Sequence, residues 1–372
     1  MKYRRNLAAL AAVVLIGGAL FIALSYTSWN RSAPIHSSLI DKAQALESAD
    51  SDDSDRPQEL AEDSLRLSFI DVGQAHALLI QKGSTDILVD AGRHYSRNLP
   101  AAMDTITDSV DLLFITHPHA DHFGGAAGLL EAHQVDKIIT NGIRRGPPMD
   151  RSVPATWNTF EEAADKANLE LQSWEAGHGE QITEHLSIEV LATGGDFDSR
   201  NSSQLNDDSL VLLIKYGDRR ILLPGDIEVA GGRMLVDRYC PDGPSDCPAL
   251  RADIMKVPHH GSSHFHPEFF KAVSPGVSVF GAPHDNRQHY HPRRDTLRAL
   301  VDLGSRIKST NQGGGKNVEV IISPAGELTW NIDDPEIFVW DDHGAEYGTT
   351  CRLIVDETSR KTSKECESHR TR

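Results

Sequence analysis

The sequence predicts a layered α/β fold for most of the chain. From residue 65 onward, short apolar runs of strand length alternate with amphipathic stretches of helical length. This alternation is typical of sheets covered by helices. In addition, a cluster of histidines and an aspartate follows one apolar run directly. Such side chains are expected where strands end at the ligand-binding edge of an α/β sheet.

The elements of this fold are expected in a domain over residues 65–334. Strands are predicted at 67–70, 77–80, 87–89, 112–115, 138–139, 210–214, 221–223, 254–257 and 277–280. Helices are predicted near 97–108, 124–133, 156–167, 228–238, 265–273 and 293–303. Residues 335–372 are polar and charged, which predicts a loosely ordered C-terminal extension.

Residues 1–30 predict a signal peptide or a membrane anchor. Lys2, Arg4 and Arg5 precede an uncharged apolar run at 7–24. As a helix this run would span about 27 Å, close to the ~30 Å hydrocarbon thickness of a bilayer. Its length favours an uncleaved anchor, although 23–25 resembles a cleavage site. In either case the remaining chain is expected outside the cytoplasm, held at the cytoplasmic membrane by this helix or secreted.

Residues 31–64 predict a disordered acidic linker. Ser, Asp, Glu and Ala dominate this segment, and large apolar residues are few. The whole chain has a net charge of -17, to which the linker contributes. This charge argues against a protein that coats nucleic acid through a broad basic surface.

The four cysteines fit an oxidising compartment. Cys240 and Cys247 lie in one Pro/Gly/Asp-rich loop, and Cys351 and Cys366 lie in the polar tail. We expect each pair to form a disulfide, which is one of three possible connectivities. A structural zinc site is less favoured, because neither pair has Cys-x-x-Cys spacing.

The strongest chemical signal is the run His-Pro-His-Ala-Asp-His at 117–122, which follows the predicted strand at 112–115. Two imidazoles at 117 and 119 can reach one metal ion, while Asp121 and His122 can reach a second. The alternative is a polar cluster that caps a helix. Three histidines and an aspartate within six residues favour the metal site.

Further ligand-type side chains follow other predicted strands. Asp226 ends a Leu-Pro-Gly-Asp stretch and can bridge two cations. His259 and His260 follow the strand at 254–257, and His291 comes after a later one. Each is weak evidence alone. In this order, they predict a site that holds two divalent metal ions.

The order of these motifs resembles the metallo-β-lactamase superfamily. Six segments resemble the hydrolase domain of ComEC-type competence proteins and their stand-alone relatives: Phe-Ile-Asp-Val-Gly-Gln at 69–74, Leu-Val-Asp-Ala-Gly at 88–92, Asn-Asp-Asp-Ser-Leu-Val-Leu at 206–212, Leu-Pro-Gly-Asp at 223–226, Lys-Val-Pro-His-His-Gly-Ser at 256–262 and His-Pro at 291–292. The resemblance covers about residues 65–310. It implies a four-layer αβ/βα sandwich with the metal ions at one edge of the sheets.

The resemblance also implies a metal ligand set. His117 and His119 would bind the first metal, and Asp121 and His122 the second, while Asp226 would bridge them. Zn2+ is the expected metal, and Mn2+ is the alternative.

Catalytic and supporting roles follow from the same resemblance. His259 or His291 would complete the second metal, and the other would orient the substrate or supply a proton. These two histidines and Asp121 are the candidate catalytic residues. The candidate supporting residues are Asp71, Asp90, Asn206, His260 and Ser262, of which Asp90 is expected to orient a ligand histidine.

The chain departs from the superfamily pattern at two positions. Many members carry a further histidine upstream of the bridging aspartate, where this chain has Asn-Asp-Asp-Ser at 206–209. Asp208, or else Asp207, is expected to complete the first metal, and an oxygen ligand would make the site more tolerant of manganese. His76 is the second departure, because the competence-like subgroup often has an acid there.

The expected activity is metal-assisted hydrolysis, and the resemblance favours a phosphodiester substrate such as DNA. Two interpretations are open for the arginines in predicted loops: they contact phosphates of the substrate, or they are ordinary surface charges. These arginines are Arg144, Arg145, Arg287, Arg293 and Arg294. Hydrolysis of a lactone, thioester or small phosphoester is an alternative. A non-catalytic, membrane-tethered binding module is another. The sequence indicates no protein partner.

Overall fold

The computed structural model describes residues 63–94, 96, 98–105, 109–143, 153–196, 204–283, 286, 289–311, 315–332, 336–339, 349–356 and 361–368. The expected N-terminal segment at 1–30 and nearly all of the linker at 31–64 lie outside these residues. In the part of the chain that is described, no helix is both long enough and apolar enough to cross a membrane. The anchor and the export therefore stay predictions of the sequence.

Two large sheets contain fifteen strands. These are β1 (Leu65–Phe69), β2 (Leu78–Lys82), β3 (Thr85–Val89), β4 (Leu112–Ile115), β5 (Ile138–Thr140), β6 (Leu171–Ser173), β7 (Gly179–Gln181), β8 (Leu186–Ala192), β9 (Val211–Tyr216), β10 (Arg219–Leu223), β11 (Ile254–Lys256), β12 (Val277–Phe280), β13 (Arg306–Ser309), β14 (Val318–Ile322) and β15 (Leu328–Trp330). The first sheet has the order β15-β14-β1-β2-β3-β4-β5-β6, and the second has the order β13-β12-β11-β10-β9-β8-β7.

Eight helices connect the strands in the described part of the chain. They are α1 (Asn98–Met103), α2 (Ala120–Phe123), α3 (Ala126–Ala132), α4 (Trp157–Lys166), α5 (Gln204–Asp207), α6 (Val229–Tyr239), α7 (Pro267–Val273) and α8 (Arg294–Asp302).

Three apolar clusters define the layers. One joins the facing sides of the two sheets and includes Phe69, Phe114 and Leu212. A second lies between the first sheet and its helices, and a third between the second sheet and α6 to α8. The succession is helix, sheet, sheet, helix, which confirms the expected α/β sandwich.

Parallel strands position the functional edge. Strands β3 to β6 run parallel in the first sheet, and β10 to β13 run parallel in the second. Their central members are mostly apolar and buried along their whole length, as expected for strands covered on both faces. Because parallel strands share a carboxyl edge, the segments after β4, β10 and β11 come together there.

The predicted strands and helices are found close to their expected positions, but several strands were missed. β6 and β7 are short and largely polar, so their sequences carry no strand signal. β14 alternates buried and half-buried residues and pairs with the edge of the first sheet at β1. Pairing with a neighbouring strand accounts for β6 and β7, whereas β14, with the sequence Val-Glu-Val-Ile-Ile, carries a local strand signal of its own.

The C-terminal segment also differs from the expected loose extension. It forms a three-stranded antiparallel sheet of β16 (Glu336–Val339), β17 (Thr349–Asp356) and β18 (Lys361–Ser368). The runs Ile-Phe-Val at 337–339 and Leu-Ile-Val at 353–355 favour β16 and β17, and the polar β18 is added by backbone pairing with β17. The register places Cys351 opposite Cys366, but their side chains lie outside the described structure. The expected disulfide between Cys240 and Cys247 is present.

Candidate metal centre

The run at 117–122 lies where β4 gives way to α2. The strand ends at Ile115 and is buried along its whole length. The amides of His122 and Phe123 then donate to the carbonyl of His119 at 2.9 and 3.1 Å, which turns the chain into α2. This tight turn brings the ligand-type side chains of the run to one edge of the sheet.

Two histidines of this run lie together with an aspartate from the second sheet. His117, His122 and Asp226 each offer one ligand atom, and these atoms lie within 4.8 Å of one another. The Nε2 atom of His122 is 3.1 Å from Oδ2 of Asp226. The Nε2 atom of His117 is 3.0 Å from Nδ1 of His119, so this third histidine borders the same group.

A second group of close ligand atoms contains Asp121, His122 and His260. The Nε2 atom of His260 is 3.3 Å from Oδ2 of Asp226 and 3.6 Å from Oδ2 of Asp121. It is buried and makes no hydrogen bond of good geometry in the described structure. The Nδ1 atom of the ring lies 2.8 Å from the carbonyl of Gly281, so Nδ1 donates this hydrogen bond and Nε2 is the ring nitrogen that faces the carboxylates. These carboxylates raise the pKa of His260 against the effect of burial, so they favour a positive charge at this point, which either a proton or a metal cation can supply.

The spacing and chemistry of these atoms fit metal ligands. Two nitrogen ligands at ~2.0–2.1 Å from one tetrahedral zinc ion lie about 3.3 Å apart. The 3.0 Å separation between the ring nitrogens of His117 and His119 is close to this value. Imidazole and carboxylate donors together suit zinc and manganese. The residues present therefore fit two divalent cations at this edge.

Asp90 lies behind the histidines and is fully buried. One of its oxygens, Oδ2, is 2.6 Å from Nδ1 of His122, and the other accepts a 2.8 Å hydrogen bond from the amide of Thr116. With Nδ1 engaged, His122 is held with Nε2 directed at Asp226. This geometry agrees with the supporting role expected for Asp90.

Asp226 lies in a tight turn after β10. The turn requires glycine at 225, where φ is 60° and a Cβ atom would meet Cβ of Ser209 at 2.5 Å. The amide of Asp226 donates to Oγ of Ser209 at 3.0 Å. Its Oδ1 accepts a 2.8 Å hydrogen bond from Nζ of Lys256, a lysine that is 1% exposed. The other oxygen, Oδ2, is left facing the two imidazoles.

The charges around these ligand atoms are arranged so that a metal ion and a proton compete for the same site. Burial lowers the pKa of His122, but the carboxylates of Asp226 and Asp90 outweigh burial and raise it to about 10. Burial disfavours the charged form of Asp226, yet His122 and Lys256 hold the pKa of its carboxyl well below the usual range. Burial and His122 lower the pKa of His117. A metal at His122 must displace a proton, so metal affinity is expected to fall at low pH.

Comparison with known proteins decides the family. Residues 70–264 match the Metallo-beta-lactamase superfamily. The chain belongs to this superfamily. Over 271 residues it is 26% identical to ComE operon protein 3 of Bacillus subtilis, in an alignment that covers 67% of this chain and 32% of that protein. Competence protein ComA of Neisseria gonorrhoeae is 24% identical over 268 residues, which cover 70% of this chain and 33% of that one.

These matches confirm the resemblance to competence proteins within the metallo-beta-lactamase superfamily. The chain spans about a third of the length of these curated relatives. Among solved structures, the metallo-beta-lactamase fold protein YhfI from Bacillus subtilis is similar, with a TM-score of 0.44 and 14% identity. That alignment covers 69% of this chain and 99% of the other.

This metallo-beta-lactamase site differs from the expected one at the first metal. Asp208 is buried, but among the described residues its carboxylate belongs to none of the close groups of ligand atoms. The other expected ligand, Asp207, accepts hydrogen bonds at 2.7 and 2.8 Å from two amides at the start of α6. Its carboxylate therefore caps a helix. Two hydroxyl groups lie beside His117 instead, because Oγ1 of Thr116 is 3.1 Å and Oγ of Ser209 is 3.4 Å from its Nδ1 atom.

At the second metal the structure places His260, not His259, beside Asp121 and Asp226. This corrects the expectation that His259 is the ligand. Both residues have left-handed backbone angles, with φ of 47° and 51°. The two rings consequently diverge, and Nδ1 of His259 lies 2.9 Å from Oε1 of Glu228 instead.

His291 lies beside the metal groups and not within them. Its ring is 5.3 Å from that of His259, and its Nδ1 is 3.3 Å from Nε2 of Gln74. Burial, followed by the charges of His259 and His260, lowers the pKa of His291 to about 2. The ring is therefore neutral, and donation from Gln74 leaves the proton of His291 on Nε2.

The remaining supporting residues have structural contacts. Nδ2 of Asn206 donates to Oε1 of Glu228 at 3.0 Å. The carbonyl of Ser262 accepts a 2.6 Å hydrogen bond from the hydroxyl of Thr296, which fixes the loop after His260. Oδ1 of Asp71 accepts from the amide two residues further on, as in an ordinary turn, and none of the close ligand groups among the described residues includes it.

The candidate phosphate contacts are only partly described. Arg144, Arg145 and Arg287 lie outside the described residues. The guanidinium of Arg293 lies 5.7 Å from the ring centre of Tyr290. Arg294 begins α8 and is half-buried.

Sequence reasoning missed three residues that touch the site: Lys256, Glu228 and Arg93. A lysine inside a buried apolar strand was the available signal for Lys256, because a buried ammonium needs a partner. The other two gave no local signal. Glu228 meets His259, and Nη2 of Arg93 lies 3.9 Å from Oδ2 of Asp121, so both partners are distant in sequence.

Proposed function

We propose that this chain is a metal-dependent hydrolase that cleaves phosphodiester bonds, with DNA as the substrate class. The observation that carries the proposal is the convergence of two close groups of ligand atoms at one sheet edge. Two relatives bear the names ComE operon protein 3 and Competence protein ComA, which favours nucleic acid over a lactone or thioester. The predicted N-terminal segment would place this activity outside the cytoplasm.

Six residues would hold two divalent cations. The first cation would lie at His117 and His119, and the second at Asp121, His122 and His260. Asp226 would serve both, through the carboxylate oxygen that faces His122 and His260. When bound, the cations supply Lewis acidity, which stabilises negative charge on a phosphoryl oxygen and lowers the pKa of a water molecule to about 7.

The chain's own residues orient this set. Lys256 holds one oxygen of Asp226, so that the second oxygen alone faces the ligands. Asp90 holds Nδ1 of His122, which keeps Nε2 pointed into the site. Because each ligand is fixed by a second contact, little reorganisation is needed when substrate and cations bind.

Two histidines outside the ligand set are suited to the leaving group. His259 is 23% exposed and lies 2.9 Å from Oε1 of Glu228, a carboxylate that can orient the ring. This pair would deliver a proton to the departing oxygen. His291, neutral and held at Nδ1 by Gln74, would donate a hydrogen bond from Nε2 to a phosphate oxygen.

The test uses the purified full chain with single-stranded DNA, and it measures both nucleotide release and bound metal. We expect turnover with Zn2+ or Mn2+, loss of turnover after chelation, and about two metal ions per chain by mass spectrometry. His119→Ala and Asp226→Ala should reduce both turnover and metal content.

Two exposed residues provide matched controls. His185→Ala and Asp242→Ala remove the same side-chain types at positions that are exposed to solvent. They should retain metal and activity. Full turnover by the His119→Ala and Asp226→Ala proteins would contradict the two-metal site. Turnover of lactones without release of nucleotides would contradict the phosphodiester substrate.

A further inference from the structure

A cavity of about 440 Å³ opens beside the metal groups, between α2, α3 and the start of α4. It shares α2 with the ligand run, because Ala120 lines the cavity and Asp121 is the next residue. Its volume falls within the range of small-molecule sites, roughly 300–1,000 Å³. No residue assigned to metal binding or proton transfer lines it.

The cavity exists because small residues cover one side. A Cβ atom at Gly128 would meet nothing within 4 Å, so this position opens onto free space. At Gly124 a Cβ atom would meet the amide nitrogen of His94 at 3.1 Å and Cα of Arg93 at 3.2 Å, so glycine lets the end of α2 lie close to the loop that carries Arg93. The far wall includes Phe160, whose ring belongs to a buried aromatic cluster with Trp157.

The lining combines apolar surface with a few polar groups. Alanine, glycine and phenylalanine residues provide most of the lining, and the polar residues are Thr156, Thr159, Arg93 and His94. An alkyl chain cannot form hydrogen bonds with these polar groups. A planar heterocycle buries its faces against apolar surface and offers ring nitrogens and carbonyls to hydroxyls, so a nucleobase fits this lining better.

Arg93 connects the cavity to the metal groups. Its Nε donates to the carbonyl of Gln74 at 3.1 Å, which fixes the side chain, and its Nη2 lies 3.9 Å from Oδ2 of Asp121. The guanidinium therefore lies between a wall of the cavity and a metal ligand. An arginine at this point can bind a phosphate oxygen while the base of the same nucleotide occupies the cavity.

We propose that this cavity is a nucleobase subsite that holds the base next to the scissile phosphate. The proposal rests on the proposed phosphodiesterase function and specifies its substrate: a single-stranded or locally unpaired nucleotide whose base leaves the stack. The phosphate lies at the metal groups, Arg93 contacts it, and the base packs between α3 and α4.

The test compares two substrates on the full, metal-loaded chain: the dinucleotide d(TpT) and the same sugar-phosphate without bases. The measured quantity is the ratio of their kcat/KM values. Burying roughly 60 Å² of apolar base surface at about 25 cal/mol per Å² corresponds to about 10-fold in affinity, so the wild-type ratio should be about 10 or higher. Gly128→Leu fills the cavity and should lower kcat/KM for d(TpT) only. The kcat/KM for the substrate without bases should stay unchanged, so the ratio should fall close to one.

Ala132→Leu is the matched control. It adds an equivalent side chain to the exposed end of the same helix, outside the cavity, and should leave the ratio at its wild-type value. Leucine is a better helix former than glycine, so the Gly128 variant is expected to fold. Thr159→Leu narrows the cavity from α4 and should act like Gly128→Leu.

A binding measurement separates this proposal from the phosphodiesterase function. Ligand-observed NMR with dTMP and chelator-treated chain should show binding to wild type that Gly128→Leu abolishes. That result would support the subsite even if no phosphodiester were cleaved. The subsite is contradicted if dTMP does not bind, if Gly128→Leu leaves the d(TpT) ratio unchanged, or if this variant impairs only long-chain lactones.

Discussion

At the scale of single residues, one carboxylate oxygen joins two histidines with different roles. Oδ2 of Asp90 lies 2.6 Å from Nδ1 of the ligand His122 and 2.9 Å from Nδ1 of His76. His76 is 4% exposed, and its Nε2 has no hydrogen-bond partner in the described structure. Burial, with Lys256 nearby, lowers the pKa of His76 to about 4 despite the contact with Asp90. Neutral His76 must therefore donate its only proton to Asp90.

This environment predicts a specific acid sensitivity of the metal-free chain. The unfolded chain binds a proton at residue 76 below pH ~6.5, whereas the folded chain does so only near pH 4, so stability falls as the pH decreases through this interval. One pKa unit corresponds to about 1.4 kcal/mol, which makes the contribution of His76 at most about 3 kcal/mol. Urea unfolding between pH 6.5 and 4 should show a shallower loss of free energy for His76→Asn than for wild type.

The exposed His185→Asn variant is the control for this measurement and should follow the wild-type curve. An equal pH dependence for His76→Asn and wild type would show that residue 76 is not held neutral by burial.

At the scale of elements, the helix α6 begins on an aspartate from another part of the chain. Oδ1 of Asp207 accepts hydrogen bonds from the amides of Glu228 and Gly231, which lie at the first turn of α6. These amides have no partner within the helix itself. The cap also fixes the backbone of Glu228, the residue whose carboxylate meets His259.

The cap predicts separable effects on stability and metal content. Asp207→Ala should lower the free energy of unfolding by about 1 kcal/mol, because it removes the acceptor for both amides. Asp207→Asn retains an oxygen acceptor and should remain close to wild type. Both variants should keep the wild-type number of bound metal ions by mass spectrometry. Loss of one metal ion in both variants would instead support Asp207 as a ligand of the first metal.

Elements with a local signal were predictable from the sequence, and those built by distant contacts were not. The metal-ligand run at 117–122 could be predicted from the sequence, because the strand, the turn and the ligand residues are contiguous. Which of His259 and His260 is the metal ligand could not be predicted from the sequence, because it depends on their backbone φ angles of 47° and 51°. Asp207 and Asp208 were expected as ligands from their position in the superfamily pattern, but the role of Asp207 is decided by a helix whose capped amide at Glu228 lies 21 residues later.

At the scale of the whole molecule, the metal site joins the two sheets. The ligand run follows β4 of the first sheet, whereas Asp226 and His260 follow β10 and β11 of the second. Cations held at this edge would therefore link the two sheets. Since ligands that bind only the folded state stabilise it, metal binding and global stability are expected to be coupled.

This coupling predicts a metal-dependent melting temperature. At a free metal concentration of 100 times Kd, the folded state gains about 2.7 kcal/mol, so the midpoint should rise measurably when Zn2+ or Mn2+ is added to the chelated chain. Asp226→Asn preserves the side-chain volume but weakens the site, and it should lose most of this increase. Asp242→Asn, on an exposed loop, should keep it. An unchanged midpoint on metal addition would contradict the coupling.

The backbone conformation of the loop that carries His260 matters for attempts to increase the thermal stability of the protein. Residues 259, 260 and 261 all have left-handed φ, at 47°, 51° and 83°, and only the last of them is a glycine. Each histidine in this conformation costs of order 1 kcal/mol or more, which glycine would not incur. Directed evolution for heat tolerance alone would therefore favour glycine at 259, with loss of the imidazole that meets Glu228, whereas at 260 the buried ring and the metal that it would hold oppose this change. A laboratory selection therefore has to measure turnover as well as thermal stability, because substitutions in this loop can raise stability while they lower activity.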